Sequence, residues 1–460
     1  MTQAALAPRA SETRYDLAGF LAGIGDVPVT TEPVLVKRKS RDYFWYSPVL
    51  QPLLNDKFGD VVVTPRDEAD VIRIGAACAR LKIPLTVRGA GTGNYGQAVP
   101  LEGGVILDMS ALDRIEWTKP GQIRVEVGRK MVAIDAQTRP SGWELRMHPS
   151  TKRMATIGGF VAGGSGGIGS VTYGGLREPG NILAARVVTV EEEPRILELR
   201  ADAAQKVNRA YGTTGIITAL EMPLAPAWDW VDLIVAFDDF GDALRFGHAV
   251  AHADGVVKKL LTPISWPIPS YFTGLAEYCP EGRHILIAMI AEPSMESFRM
   301  LLADSKGEVT YEAPFDEGPS RTPLYEYTWN HTTLQLLKTD RSITYLQSLF
   351  PADRVIEAVA EMSALFGDEV LPHLEFIRFG GRVTASALQI VRYTTPERLN
   401  EIIAIHESHG ISIANPHVYT LEDGSRHKRA DADQLGFKHD VDPYGLLNPG
   451  KMRSFVARNA

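Results

Sequence analysis

Arg88-Gly89-Ala90-Gly91-Thr92-Gly93-Asn94-Tyr95-Gly96 is the first stretch of the chain whose residue types and spacing can do chemistry. Glycine tolerates φ > 0 and lets successive backbone N–H groups turn inward as a nest for a diphosphate. Gly91, Gly93 and Gly96 also match the GxGxxG lettering of nicotinamide-dinucleotide sites. That site needs a helix directly after the loop, with its N-terminus on the diphosphate. Here Val99-Pro100 and Gly103-Gly104 interrupt any helix and a strand is expected next. An NAD-dependent Rossmann dehydrogenase is therefore the distant alternative.

A second loop runs from Pro149 to Gly175, through Thr156-Ile157-Gly158-Gly159, Ala162-Gly163-Gly164-Ser165-Gly166-Gly167 and Tyr173-Gly174. Six glycines between Gly158 and Gly167 are not expected inside a stable helix. They suit a flat cofactor lying against bare backbone.

With both loops in view, the sequence resembles the vanillyl-alcohol oxidase and p-cresol methylhydroxylase (PCMH-type) flavoproteins, a group that includes D-lactate dehydrogenases and glycolate oxidase subunits. The resemblance covers roughly Phe58 to Pro226: the RGxGTG-like loop at Arg88 to Gly93, PSxxxxxTIGG at Pro149 to Gly159, the glycine cluster, and Gly212-Thr213-Thr214-Gly215-Ile216-Ile217-Thr218. It resumes at Leu447-Asn448-Pro449-Gly450-Lys451-Met452. What it implies is an α+β fold, a two-subdomain FAD-binding domain followed by an α+β substrate (cap) domain. It also implies FAD contacts at Gly89, Gly91, Thr92, Gly93, Asn94, Thr156, Gly159, Gly163, Ser165, Gly166 and Ile217, with Asn448 and Lys451 reaching back from the C-terminus. Many relatives with a covalent flavin carry histidine where this chain has Thr92, so attachment there is not expected and noncovalent FAD is.

Flavin dehydrogenation further needs a group to take the hydroxyl proton and dipoles to hold the substrate. Trp329-Asn330-His331-Thr332-Thr333 offers an aromatic wall and an imidazole, which makes His331 a candidate. Arg378 could clamp a carboxylate in its planar fork or form a surface salt bridge. Asn415-Pro416-His417-Val418-Tyr419 adds Asn415 and His417. Tyr95-Gly96-Gln97-Ala98-Val99-Pro100 resembles the YGGAAP segment of alkylphenol oxidases, in which the tyrosine contacts a phenolate; Tyr95 is then a substrate contact or a packing aromatic. The histidine-glycine-aspartate and glutamate-histidine patterns of metal-dependent 2-hydroxy-acid enzymes are not intact, and His406 and His409 lack an evident third ligand, so no metal is expected. The expected activity is hydride transfer from an alcohol or 2-hydroxy acid to FAD, with oxygen or another acceptor reoxidising it; oxidation of a para-substituted phenol is the alternative.

These residues must be carried by ordered elements. Val61-Val62-Val63, a helix opening at Thr64-Pro65-Arg66-Asp67 and Leu85-Thr86-Val87 read as a βαβ unit. Strands are expected at Val105 to Met109, Ile123 to Val127, Leu183 to Val190 and within Gly212 to Leu224, and a helix at Val132 to Ser141. We divide the chain into a leader (1–55), an FAD-binding domain (56–226), a substrate domain (227–420) and a C-terminal segment (421–460) that returns to the FAD domain and ends in turns from Asp442 to Lys451. With 460 residues, 45% of them hydrophobic, the chain can bury a large core, and its formal charge of -8 gives no field for nucleic acid. Two cysteines make no disulfide framework, which suits a reducing cytoplasm. Met1 to Tyr15 lacks a signal-like apolar segment and no stretch is of membrane-spanning length. A homo-oligomer remains open.

Overall fold

The computed structural model describes residues 15–164, 166–318, 321–424 and 432–456. The Met1 to Tyr15 segment, apart from its last residue, and Ser165 therefore lie outside the described residues. Two sheets occupy the region before Pro226. The first has the order Val29–Thr30, Val61–Val63, Val105–Asp108, Leu85–Arg88, with its last three strands parallel. The helix Glu68–Leu81 makes the crossover between Val61–Val63 and Leu85–Arg88, covering the sheet with Val71, Ile74, Ala77 and Cys78. Its cap is Asp67, which accepts from Asp70 N at 2.9 Å, and not Thr64. Thr64 is still bound to the sheet edge, its N–H donating to the Pro28 carbonyl, so the chain cannot turn into a helix there.

The second sheet is antiparallel and is built around the long strand Ile216–Pro226, flanked by Gln122–Glu126 and Ala184–Val188. Both sheets share one core, in which Leu107, Val125, Ile157, Val187 and Leu220 are fully buried. The segment read as a leader packs as well. The helices Leu17–Ile24 and Pro33–Lys39 and the turn Phe44–Tyr46 bury Phe20, Ile24, Val36, Phe44 and Tyr46.

Beyond Pro226 lie two further antiparallel sheets, one centred on Trp230–Phe237 and His284–Ala291, the other on Ile343–Leu349 and Arg382–Arg392. The two-residue period of Trp230–Phe237 sorts its faces. Leu233, Val235 and Phe237 pack into the cluster holding the helices Phe240–His252 and Val355–Phe366. Trp230 and Ile234 face the cluster of Tyr325, Tyr345 and Trp329. The C-terminal segment returns through the helix Ala432–Val441 and the turns that follow it from Asp442, reaching a parallel bridge between Leu447 and Leu85. Among the described residues no helix is long and apolar enough to cross a membrane.

Candidate active site

The strand Leu85–Arg88 ends in the first glycine loop, and no helix follows before Val105–Asp108. Arg88 is the strut beneath it. Its buried guanidinium donates to the carbonyls of Lys39, Arg41 and Ala90. Gly91, at φ +70°, must be glycine because a Cβ there would meet the Arg88 guanidinium. The loop is braced from outside by Tyr43 N, which donates to the Gly93 carbonyl at 2.7 Å.

The second loop contains a helix, Ile157–Gly163, where the glycine count predicted none. Thr156 caps it, accepting from Gly159 N at 3.3 Å, and Gly164 closes it in the left-handed region. Gly158 is needed because a Cβ would lie 2.5 Å from Val127 Cβ. Close contact between the helix and Val127, just past the strand Gln122–Glu126, therefore compensates for the poor helix propensity of glycine. At the start of this loop, buried Lys152 pairs with Asp135 at 2.7 Å and with Glu317 at 3.0 Å.

Between the loops lies a cleft of about 810 Å³. It is lined by Gly89, Gly91, Thr92, Gly93, Thr156, Gly159, Gly163 and Ile217, all singled out from the sequence, and by Asp42, Arg88, Gln97, Ala162, Tyr211 and Gly215. A wall of backbone in which side chains have no room fits a flat, diphosphate-bearing cofactor. Asn94 is buried beside the first loop, and Gly166 faces Trp329, whose ring carbon would lie 3.0 Å from an added Cβ.

The C-terminal residues close the cleft from behind. Fully buried Asn448 donates through Nδ2 to the carbonyls of Gln97 and Tyr211, both at 2.7 Å. Lys451 donates to the Gly96 carbonyl at 2.6 Å and lies over the Tyr419 ring. Burial pushes the Lys451 ammonium down to about 7, opposed by the negative charge of Asp42. Burial likewise pushes the Asp42 carboxyl up to about 6, although Ala98 N and Phe44 N donate to it. Asp42 gave no signal in the sequence, since it stands alone in the segment read as a leader.

The candidate catalytic residues separate. His331 sits in the helix Asn330–Leu337, where burial and nearby Lys338 push its imidazole down to about 4, opposed by a hydrogen bond to the Glu326 backbone. Just before it, Trp329 has φ +52°, and its N–H donates to buried Glu375 Oε1 at 2.6 Å. The Tyr95 hydroxyl meets those of Tyr345 and the side chain of Gln347, and burial raises its pKa. His417 is engaged at both ring nitrogens, with Ser47 Oγ at 2.7 Å and the Tyr345 carbonyl at 2.9 Å, so it supports Tyr345. Asn415 Oδ1 accepts from His417 N at 2.9 Å. Arg378 is not brought to the cleft; it forms a salt bridge with exposed Asp254 at 2.7 Å. His406 is held by the Ile402 carbonyl and Gln389, and among the described residues no three His, Cys, Asp or Glu side chains cluster as metal ligands.

The FAD binding domain family matches residues 59–197. The chain is 33% identical over 209 residues to the glycolate oxidase subunit GlcD of Escherichia coli (strain K12), an alignment covering 43% of this chain and 41% of that one. It is 34% identical over 164 residues to the D-2-hydroxyglutarate dehydrogenase of the same strain, covering 33% and 16%. It is 26% identical over 209 residues to the D-lactate dehydrogenase of Archaeoglobus fulgidus, covering 43% and 46%. The chain thus spans less than half the length of these curated relatives. A solved structure of an alkyldihydroxyacetonephosphate synthase shares the fold, with a TM-score of 0.70 and 13% identity over 92% of this chain and 82% of that one. Glycine loops, cleft and alignments agree on one point: residues 59–197 of this chain form an FAD binding domain similar in sequence to those of the FAD-linked oxidoreductases just named.

Proposed function

We propose that this chain takes a hydride from a 2-hydroxy acid onto noncovalently held FAD and passes the electrons to oxygen or another acceptor. The observation that carries the reading is the glycine-lined cleft, whose second loop abuts the Trp329 ring at Gly166. In our division residues 56–226 hold the cofactor, residues 227–420 supply the substrate side, and residues 421–460 return to the FAD domain. The names of the relatives, a glycolate oxidase subunit and two dehydrogenases of 2-hydroxy acids, support the substrate class.

Bound FAD would supply a two-electron, hydride-accepting ring. The chain's own residues must then shield that ring, orient the substrate C–H and receive the hydroxyl proton. Trp329 supplies the apolar wall. His331 is the imidazole we assign to receive the proton; burial and Lys338 hold it near 4, so it is neutral at pH 7 and acts as a weak base. As hydride and proton leave, the alcohol carbon becomes a carbonyl. Thr92 offers no histidyl link to the flavin, and Cys78 is buried in the core. Acid precipitation should therefore release all the flavin, and a yellow pellet would exclude noncovalent binding. The buried, free thiols of Cys78 and Cys279 suit a cytoplasmic setting.

A second reading, oxidation of a para-substituted phenol, is favoured by the meeting of the Tyr95 and Tyr345 hydroxyls. The deciding experiment is anaerobic titration with glycolate, D-lactate, D-2-hydroxyglutarate, 4-alkylphenols and primary alcohols while the flavin band is followed. Bleaching by hydroxy acids is expected. Bleaching by phenols alone would transfer the proposal to the second reading, and a silent panel would refute both.

A further inference from the structure

The second glycine loop is met near both of its ends by the same part of the chain beyond Pro226. At its start, Lys152 Nζ stands 2.7 Å from Asp135 Oδ2 and 3.0 Å from Glu317 Oε2. One ammonium thus joins a carboxylate on the helix Met131–Thr138 to one that follows the strand Glu308–Pro314. Asp135 is fixed independently, its Oδ1 accepting from Leu145 N at 2.7 Å. Burial by itself would pull the Lys152 ammonium down, but Asp135 and Glu317 outweigh it and raise its pKa, so the charge stays in place. The next residue, Arg153, donates to the Arg321 carbonyl at 2.8 Å and pairs with Glu326 at 3.2 Å.

Glu317 carries the connection onward. Its other oxygen, Oε1, accepts from the Tyr325 hydroxyl at 2.5 Å. Tyr325 is fully buried in the short turn Leu324–Tyr327, its ring edge-on to that of His148 with centroids 4.9 Å apart. The backbone of His148 exchanges hydrogen bonds of 3.0 and 2.9 Å with Ile168, beyond the helix Ile157–Gly163. Just past the turn, the Trp329 ring lies against Gly166, and His331 follows in the helix Asn330–Leu337. One carboxylate therefore touches both the start of the glycine loop and the turn from which Trp329 and His331 hang.

A buried ion pair contributes little net stability, because desolvation offsets its attraction; what it can fix is register, since a shifted arrangement leaves a charge unpaired. We propose that Glu317 is a positioning residue, whose carboxylate, bridging Lys152 and Tyr325, sets where the Trp329 ring and the His331 imidazole stand over the second glycine loop. Removing Glu317 frees the turn without stranding a charge, because Lys152 keeps Asp135. The effect on rate rests on the hydroxy-acid reading above; the effect on position does not.

The test uses the FAD-loaded protein and two readouts: amide hydrogen exchange, and anaerobic flavin bleaching by glycolate, D-lactate and D-2-hydroxyglutarate. In Glu317→Ala, exchange across residues 321–333 should quicken about 10-fold or more, as expected when a hydrogen bond to a charged group no longer opposes local opening. Exchange in Ile157–Gly163, flavin content and melting temperature should hold. The limiting rate of bleaching should fall about 10-fold or more, the consequence of a displaced wall and base. Tyr325→Phe, which keeps the ring on His148, should move exchange and rate in the same direction. Glu317→Gln, whose amide oxygen still accepts, should recover most of both losses. Unchanged exchange across residues 321–333 in Glu317→Ala overturns the inference. So does a fall in rate matched by falls in flavin content and melting temperature, which a merely structural contact would give. If no hydroxy acid bleaches the wild type, the hydride reading fails, while faster exchange confined to residues 321–333 upholds the role of Glu317. Bleaching of the wild type, with equal rates and equal exchange in Glu317→Ala, leaves that reading standing and refutes the role.

Discussion

Asn448 and Tyr211, 237 residues apart, are joined by a 2.7 Å hydrogen bond from the side-chain amide of the first to the carbonyl of the second. The other amide hydrogen goes to the Gln97 carbonyl, so one side chain ties the C-terminal segment to both the first glycine loop and the bend at Tyr211 that precedes Ile216–Pro226. Asn448→Ala should strand two carbonyls and cost about 2 kcal/mol, read as a lower urea midpoint with unchanged slope. FAD should also be lost more readily on gel filtration. Retention of both properties would mean that the tail does not hold the cleft.

Two glycines of the second loop should respond in opposite ways. Gly158→Ala forces a methyl to within 2.5 Å of Val127 Cβ and 3.0 Å of the Val127 carbonyl, so the helix Ile157–Gly163 must move away from Val127. Overpacking of this kind costs about 1–3 kcal/mol, and the displaced backbone should no longer admit FAD. Gly175→Ala meets open space and should leave melting temperature and flavin content unchanged. Flavin-replete Gly158→Ala protein would show that the close contact is not what shapes the cleft.

How much of this was written in the letters depends on the kind of signal. Glycine records its own necessity, so the loops around Gly91 and Gly159 were legible, as was the return of Asn448 and Lys451. Arg209, Tyr211 and Trp329 take a glycine-like φ without being glycine, and no residue type announces that. Asp42 reaches the cleft only through tertiary packing of Phe44 and Tyr46. Arg378 carried the right chemistry at a position where a neighbouring acid, Asp254, takes it up. The helix in the second loop was missed because propensity was weighed without the Thr156 cap and the Val127 contact.

Acid should weaken the fold through His417. Burial holds its imidazole at about 4 in the native state, whereas unfolding returns it to about 6.5. Between these values the unfolded chain binds more protons, so stability is complete above about pH 6.5 and declines as pH falls toward 4. The contribution is about 3 kcal/mol over that window. His331, depressed in the same direction, adds to the slope. His417→Gln keeps an amide donor for the Tyr345 carbonyl and removes one titration, so its stability should fall less steeply in urea melts between pH 6.5 and 4. An unchanged slope would show that His417 does not titrate with unfolding.

Glu375 and Trp329 offer a test of stored strain. Trp329, at φ +52° and ψ -141°, is held by its N–H bond to Glu375 Oε1, while Thr262 Oγ1 donates to Oε2 at 2.5 Å and His373 Nε2 stands 3.1 Å from Oε1. Glu375→Ala removes the acceptor and leaves the strained turn unsupported, so the melting temperature and the rate of flavin bleaching by a reducing substrate should both drop. Trp329→Gly removes the strain, which costs on the order of 1–3 kcal/mol at a non-glycine residue, but also removes the ring over Gly166. Its bleaching rate should fall by itself. If Glu375 acts by holding Trp329 in that conformation, Glu375→Ala should cost less stability in the Trp329→Gly background than in the wild type, and the double-mutant cycle measures that difference directly. Additive losses would mean that Glu375 supports the fold through Thr262 and His373 instead, and the position of Trp329 would then need another cause.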